Sequence, residues 1–288
     1  MLVRLAISVS LLLFAPALAE AAKTSCPEHF FDQQAPDLLN AKLGTSTHEL
    51  CYSGYAALHS GITRTPLWSA EHLTREQVNA AQGQVRVNRF HADPHLPRDE
   101  RAELADYARS GFDRGHMAPS GDMPDPQSQQ ESFSLANMIP QNPNNNRNLW
   151  EGIESAVRTL AREDGELYVV TGPIYAGETL QRLNGRVLVP TSIFKAIYDP
   201  KRQRAGAYLV PNEAGNKWEE ISIAELARLS DLDVFPTLPA AIKDTAMTLP
   251  QPTPHGRASL ERSGESSTGE DVPPSHRKRK HPREETIQ

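Results

Sequence analysis

The sequence predicts an α+β fold, and three observations carry that prediction. Segments rich in Val, Ile, Tyr and Trp, bounded by Pro, Gly and Asn, recur along the chain and read as strands. Strong helical periodicity is concentrated in residues 146–162. Strands and helices do not alternate in the regular order that a doubly wound parallel sheet requires, and no internal repeat organises them.

From the N-terminus, Met1-Leu2-Val3-Arg4 precedes an apolar run ending in Ala17-Leu18-Ala19, the charged, apolar and small-residue order of a secretory signal. Cleavage after Ala19 is therefore expected, giving an exported protein, periplasmic or extracellular. The run is short for a membrane span and no later segment approaches it, so no stable membrane association is expected after cleavage. The only cysteines are Cys26 and Cys51. An even pair in an oxidising compartment reads as a disulfide, here tying the mature N-terminal segment to the first strand. Two thiols alone cannot build a thiolate zinc site.

Residues 50–60 and 67–73 read as strands, with Pro66 near the break. Residues 98–110 follow Pro97 and carry Leu104 and Tyr107 on one helical face, stopped by Gly111. The best helix is 146–162, where Leu149, Trp150, Ile153, Val157 and Leu160 recur at helical spacing and Asn144 to Asn146 offer capping side chains. Trp150 reads as a core anchor. Residues 166–171, 186–199 and 204–210 follow as strands, with turns at Gly172-Pro173 and Pro211-Asn212. A short helix at 223–229 comes before Val234-Phe235-Pro236. One domain is expected over 20–247. From 248 to 288 large apolar residues almost vanish, and such a segment cannot recover its ordering entropy by burial. Its basic cluster, His276 to His281, could attract nucleic acid weakly, although a solvated tail is the plainer reading.

A formal net charge of −6 argues against simple electrostatic capture of a polyanion, so such a substrate would need a local basic patch and a bound cation. The stretch Phe112-Asp113-Arg114-Gly115-His116-Met117 supplies part of this. A neutral His116 can take a proton from water, which predicts activity falling at acidic pH, and Arg114 can neutralise a phosphate. Downstream, Asn146, Trp150 and Glu154 stand four apart on adjoining turns of one helical face. An amide oxygen and a carboxylate so spaced are hard donors suited to magnesium, which keeps most of its waters. By contrast, His91 and His95 have the spacing of a helical zinc pair but enclose Pro94, which breaks that helix.

Asp113-Arg114-Gly115-His116, followed by Asn137-Met138-Ile139-Pro140-Gln141 and by Asn146 through Glu154, resembles the DNA/RNA non-specific endonucleases. These are the ββα-metal or His-Me finger nucleases that include endonuclease G. The resemblance runs from about residue 51 to 236. It implies a mixed or antiparallel central sheet flanked by helices, DNA and RNA as substrates, and one Mg2+ that Mn2+ could replace. Residue by residue, His116 matches the general base, Asn146 the direct metal ligand and Glu154 the acid that supports the hydrated ion. Arg114 and Asn137 match residues that support the phosphate and the site. An upstream arginine is also implied, for which Arg86 and Arg89 both qualify and Arg89 is preferred. The alternative function is a non-catalytic nucleic-acid-binding protein on the same fold.

Overall fold

The computed structural model describes residues 24–254, so the leader expected at 1–19 and the basic cluster at 276–281 lie outside the described residues. The first two sheet strands are β1 (Thr47–Cys51) and β2 (Ala56–Ser60). They replace the single strand expected over 50–60, because Ser53-Gly54 supplies turn residues between them and Tyr52 N–H donates to Tyr55 C=O across the loop. Next comes β3 (Thr65–Thr74), which accommodates Pro66 opposite a register shift between Leu58 and His59. Helix α1 (Arg75–Ala81) follows, with Thr74 and Gln77 forming its capping box.

The helix expected over 98–110 shrinks to one turn, Leu104–Tyr107. Glu100 and Arg101 N–H turn back on Pro97 C=O instead, and beyond the turn Arg109 and Gly111 adopt positive φ, which ends helical propagation. A separate ribbon pairs β4 (Asp113–His116) with β5 (Met138–Gln141), and α2 (Pro126–Ser132) lies in the connection between them. The major helix α3 (Glu151–Asp164) follows, so ribbon and helix form a ββα unit.

The remaining sheet strands are β6 (Glu166–Ile174), β7 (Ser192–Asp199), β8 (Arg204–Pro211) and β9 (Glu219–Ile221), after which comes α4 (Ile223–Ser230). The expected strand 186–199 is split. Val187–Leu188 pairs with Arg182–Leu183 around Asn184-Gly185, both at positive φ, and only the later residues join the main sheet. The seven strands run β9-β8-β7-β6-β3-β2-β1, every neighbour antiparallel.

The pleat sends alternate residues to opposite faces. Phe194, Ala196 and Tyr198 of β7 join Phe30, Trp68 and Leu226 on one face, whereas Ile193 and Ile197 meet Trp150, Ile153 and Val157 of the helical layer on the other. Each of these large apolar side chains contributes about 2 kcal/mol by burial. Trp150 is therefore the core anchor expected. Cys26 and Cys51 form the expected disulfide, which fastens the N-terminal segment to β1.

Residues 248–254 pack onto the fold, and the rest of the polar tail expected from 248 to 288 lies outside the described residues. Leu249 is buried against the helical layer, its N–H donates to Glu220, and Tyr208 donates its hydroxyl to Pro250 C=O. One buried leucine and two hydrogen bonds beside it fasten this short stretch to the fold.

Candidate active site

Residues two apart on a strand share a face, so β4 presents Arg114 and His116 together. Gly115 between them is required by close approach: a Cβ there would lie 2.0 Å from Gln141 Oε1. The His116 ring stands edge-on to Phe133, with centroids 5.0 Å apart, and tilts against Phe90 at 5.7 Å. Each phenyl ring also carries a guanidinium. Arg114 lies 4.2 Å over Phe90 and Arg86 lies 5.3 Å over Phe133. The imidazole is thus clamped by two phenyl rings, each with a guanidinium over it.

His116 is buried, and its Nε2 has no hydrogen-bond partner among the described residues. Burial, and then the charges of Arg86 and Arg114, push its pKa down to about 3, so the ring is neutral at pH 7. A buried polar atom left unpaired costs about 1–3 kcal/mol, and such atoms concentrate where chemistry uses them.

Backbone beyond the histidine is fixed by Asn137. Its Oδ1 accepts from Ala118 N–H and Ser69 Oγ at 2.9 Å each, while its Nδ2 donates to Ala118 and Ser132 carbonyls at 2.8 and 3.0 Å. Every polar valence of the amide is used inside the fold, where the residue is fully buried. Asn137 was expected to support the phosphate and the site; its hydrogen bonds place it in support of the site, where it positions the His116 loop.

Asn146 enters from the helical side. Asn142, rather than Asn144 to Asn146, caps this helix, accepting from Asn144 and Asn145 N–H. A wide π turn, Asn146–Trp150, then precedes α3. Such a turn advances fewer degrees per residue than an α turn, so it rotates Trp150 toward the core and keeps Asn146 and Glu154 in line. Uninterrupted α-helical spacing would have set the three on one continuous face. Asn146 and Glu154 both line a cavity of about 710 Å³ that also receives Arg86, Arg114 and His116.

Asp113 receives Nδ2 of Asn146 at 2.9 Å and a bidentate pair from Arg147 at 2.7 and 2.8 Å. Burial works against the charge of Asp113, yet these hydrogen bonds outweigh it and hold the carboxyl below its ordinary value. Because the donor end of Asn146 is engaged, the acceptor end is left for a cation. Burial pushes half-buried Glu154 up to about 7; Arg158 and Lys195 pull it down, and Asp122 and Glu151 push it up again. A cation beside that carboxyl would restore its charge. Among the described residues no three His, Cys, Asp or Glu side chains group as a metal cage. A hydrated hard ion needs none, so the donor set fits a hydrated divalent cation.

The two upstream arginines separate cleanly. From 85 to 90 the chain alternates sides, with Arg86, Asn88 and Phe90 on the cavity and Val85, Val87 and Arg89 on a groove behind it. The preference for Arg89 is thus corrected, because its parity turns it away from His116. Phe133 and Arg158 were missed by sequence reasoning. The spacing of Arg158, four beyond Glu154, was a usable signal: its Nη1 donates to Asp122 at 2.9 Å and it lines the same cavity.

Residues 35–241 match the family model described as DNA/RNA non-specific endonuclease. Nuclease C1 of Cunninghamella echinulata var. echinulata is 36% identical over 59% of this chain and 74% of its own length. The mitochondrial nuclease EXOG of Danio rerio is 33% identical over 65% of this chain; the match spans only 60% of EXOG. A solved structure of the EndoG/EndoGI complex superposes with a TM-score of 0.59 at 28% identity, covering 68% of this chain and 88% of the other. EXOG, a nuclease of Schizosaccharomyces pombe and one of Saccharomyces cerevisiae carry mitochondrial names, which overturns the exported, periplasmic or extracellular location expected from residues 1–19. A basic residue followed by an apolar run does not by itself fix a destination. The sheet, the ββα unit and the matched 35–241 span agree, and the chain belongs to the DNA/RNA non-specific endonuclease family.

Proposed function

We propose that this member of a nuclease family hydrolyses phosphodiester bonds of DNA and RNA without sequence preference, with His116 as general base and Mg2+ held by Asn146 and supported by Glu154, Mn2+ being able to replace it. The observation that carries the reading is the unpaired Nε2 of the buried His116 on a cavity shared with Arg86, Arg114, Asn146 and Glu154.

His116 Nε2 takes a proton from the attacking water as the new P–O bond forms and the ester P–O bond on the opposite side breaks, the departing oxygen taking its proton from solvent. Arg86 and Arg114 flank the histidine and stabilise the negative charge that grows on the phosphoryl oxygens. The same two charges disfavour the imidazolium, so the ring returns its proton readily to solvent. A magnesium ion held by Asn146 and supported by Glu154 would supply charge neutralisation to the reaction. Asn137 and Asp113 act at one remove: the first fixes the loop after His116, the second the amide of Asn146. Contacts to phosphate carry no base information, which supports a lack of sequence preference.

Purified protein incubated with plasmid and with RNA should degrade both in magnesium and neither in excess chelator. Intact polymers in every tube would defeat the reading.

A further inference from the structure

Three guanidinium groups meet where the turn between β2 and β3 faces the short hairpin 182–188. The C=O of Arg186 accepts Arg64 Nη1 at 3.1 Å and Arg182 Nη1 at 3.0 Å, so one oxygen holds two cations as neighbours. Arg64 is fixed further by Asp99 C=O, which accepts its Nε and Nη2 at 3.1 and 2.8 Å, and Arg182 by Ile62 C=O at 3.4 Å. The third cation, that of Arg186, donates Nη2 to Arg101 C=O at 3.1 Å. A carbonyl orients a guanidinium without cancelling its charge. Only Arg186 has a carboxylate, the buried Asp106 at 3.2 Å; Arg64 and Arg182 form no ion pair among the described residues. Burial, and then the charge of Arg186, lower the Arg64 pKa from its ordinary value, the effect expected of cations held close together. Arg182 is exposed, and its Nε and Nη2 have no partner among the described residues. Those two groups share the edge of the guanidinium that meets two phosphate oxygens side by side.

We infer that Arg64, Arg182 and Arg186 form a second phosphate site, which holds the nucleic-acid backbone away from the scissile bond. The inference rests on the nucleic-acid substrate proposed above. Position supports this occupant: Leu183 and Val187, the inner side of the hairpin, pack in one cluster with Tyr107 and with Phe90 of the cavity wall. Duplex nucleic acid carries about one charge per 1.7 Å of its axis, so a molecule seated at the cavity brings many further phosphates past the surface beside it. Charge supports it too. In a chain of net charge −6, two guanidinium groups without a carboxylate partner are a local exception, and such exceptions are what a polyanion is drawn to.

Arg182→Gln removes the charge while keeping an N–H for the carbonyls, Arg182→Lys keeps the charge, and Arg64→Gln probes the same site independently. Circular dichroism and melting curves check the three folds. Two readouts are compared: binding in chelator of a fluorescent duplex of about 20 base pairs, and cleavage in magnesium of a mononucleotide p-nitrophenyl diester too small to reach the hairpin. Each glutamine variant should raise the duplex Kd about fivefold, reduce the slope of log affinity against log salt by about one, and leave the diester unchanged. Arg182→Lys should keep the wild-type slope. An unchanged Kd and slope, or a loss on the diester equal to that on the duplex, overturns the inference. Wild type that binds the duplex but cuts no polymer in magnesium defeats the nuclease reading and leaves the site standing; wild type that cuts plasmid, with variants that bind as it does, removes the site alone.

Discussion

Asn146 donates its side-chain amide to Asp113 at 2.9 Å, joining the start of the major helix to the strand that carries His116. One hydrogen bond thereby registers the cation side of the cavity against the base side. Asp113→Ala should leave His116 in its clamp but free the Asn146 amide to rotate, raising the Mg2+ concentration needed for half-maximal cleavage about tenfold. A magnesium titration checks it, and an unchanged midpoint would contradict the role given to Asp113.

Two pKa shifts make opposite demands on pH. His116, lowered to about 3, stays neutral across pH 5–8, so its protonation cannot cause an acid limb near 6.5. The acid limb expected from an ordinary histidine is thereby moved down. Glu154, raised to about 7 without a cation, binds a proton as pH falls through 7, and that proton competes with the metal. Cleavage at saturating Mg2+ should stay nearly level from pH 8 to 5, while at limiting Mg2+ it should fall below pH 7. Rate profiles at two magnesium concentrations separate the cases. A limb near 6.5 that persists at saturation contradicts the assignment.

Arg86 and Arg89 differ by parity alone. Arg86→Ala should lower kcat on plasmid about 100-fold by removing a charge beside the phosphate, with little change in thermal stability because the side chain is exposed. Steady-state kinetics and a melting curve test this pair of outcomes. Loss of less than about threefold would move the phosphate elsewhere in the cavity.

Asn137→Ala leaves Ala118 N–H, Ala118 C=O, Ser132 C=O and Ser69 Oγ short of a buried partner. Destabilisation of about 3 kcal/mol is expected, with activity lost in step with folding. Chemical denaturation of wild type and variant reads it directly. A variant that is fully stable yet inactive would return Asn137 to direct action on substrate.

The disulfide closes a loop of separation 25 between the N-terminal segment and β1. Cys26→Ser/Cys51→Ser should cost about 3 kcal/mol and lower Tm on the order of 6 °C while sparing kcat, since neither residue lines the cavity. Calorimetry on the double variant supplies the comparison.

Legibility of the sequence followed how local each determinant is. The α3 stripe and the strands at 166–171 and 204–210 were readable because burial imposes its period directly on residues such as Ile153, Val157 and Leu160. His116, Arg114, Asn146 and Glu154 were readable as short patterns, and the fold brings all four to one cavity. What escaped depends on pairing across distance. Phe133 is 17 positions beyond the histidine it clamps, and no local pattern joins them. The choice between Arg86 and Arg89 turned on the parity of an irregular segment that has no periodicity of its own. Overlong elements failed where breaking residues were discounted, at Ser53-Gly54 and at Pro190, which lies between the short strand ending at Leu188 and β7.

Cleavage by His116→Ala, with and without added imidazole, tests the central claim most directly. The account predicts a folded variant slowed about 1000-fold, with part of the rate restored by imidazole entering the space between Phe90 and Phe133. Plasmid and RNA cut at the wild-type rate by that variant would contradict it.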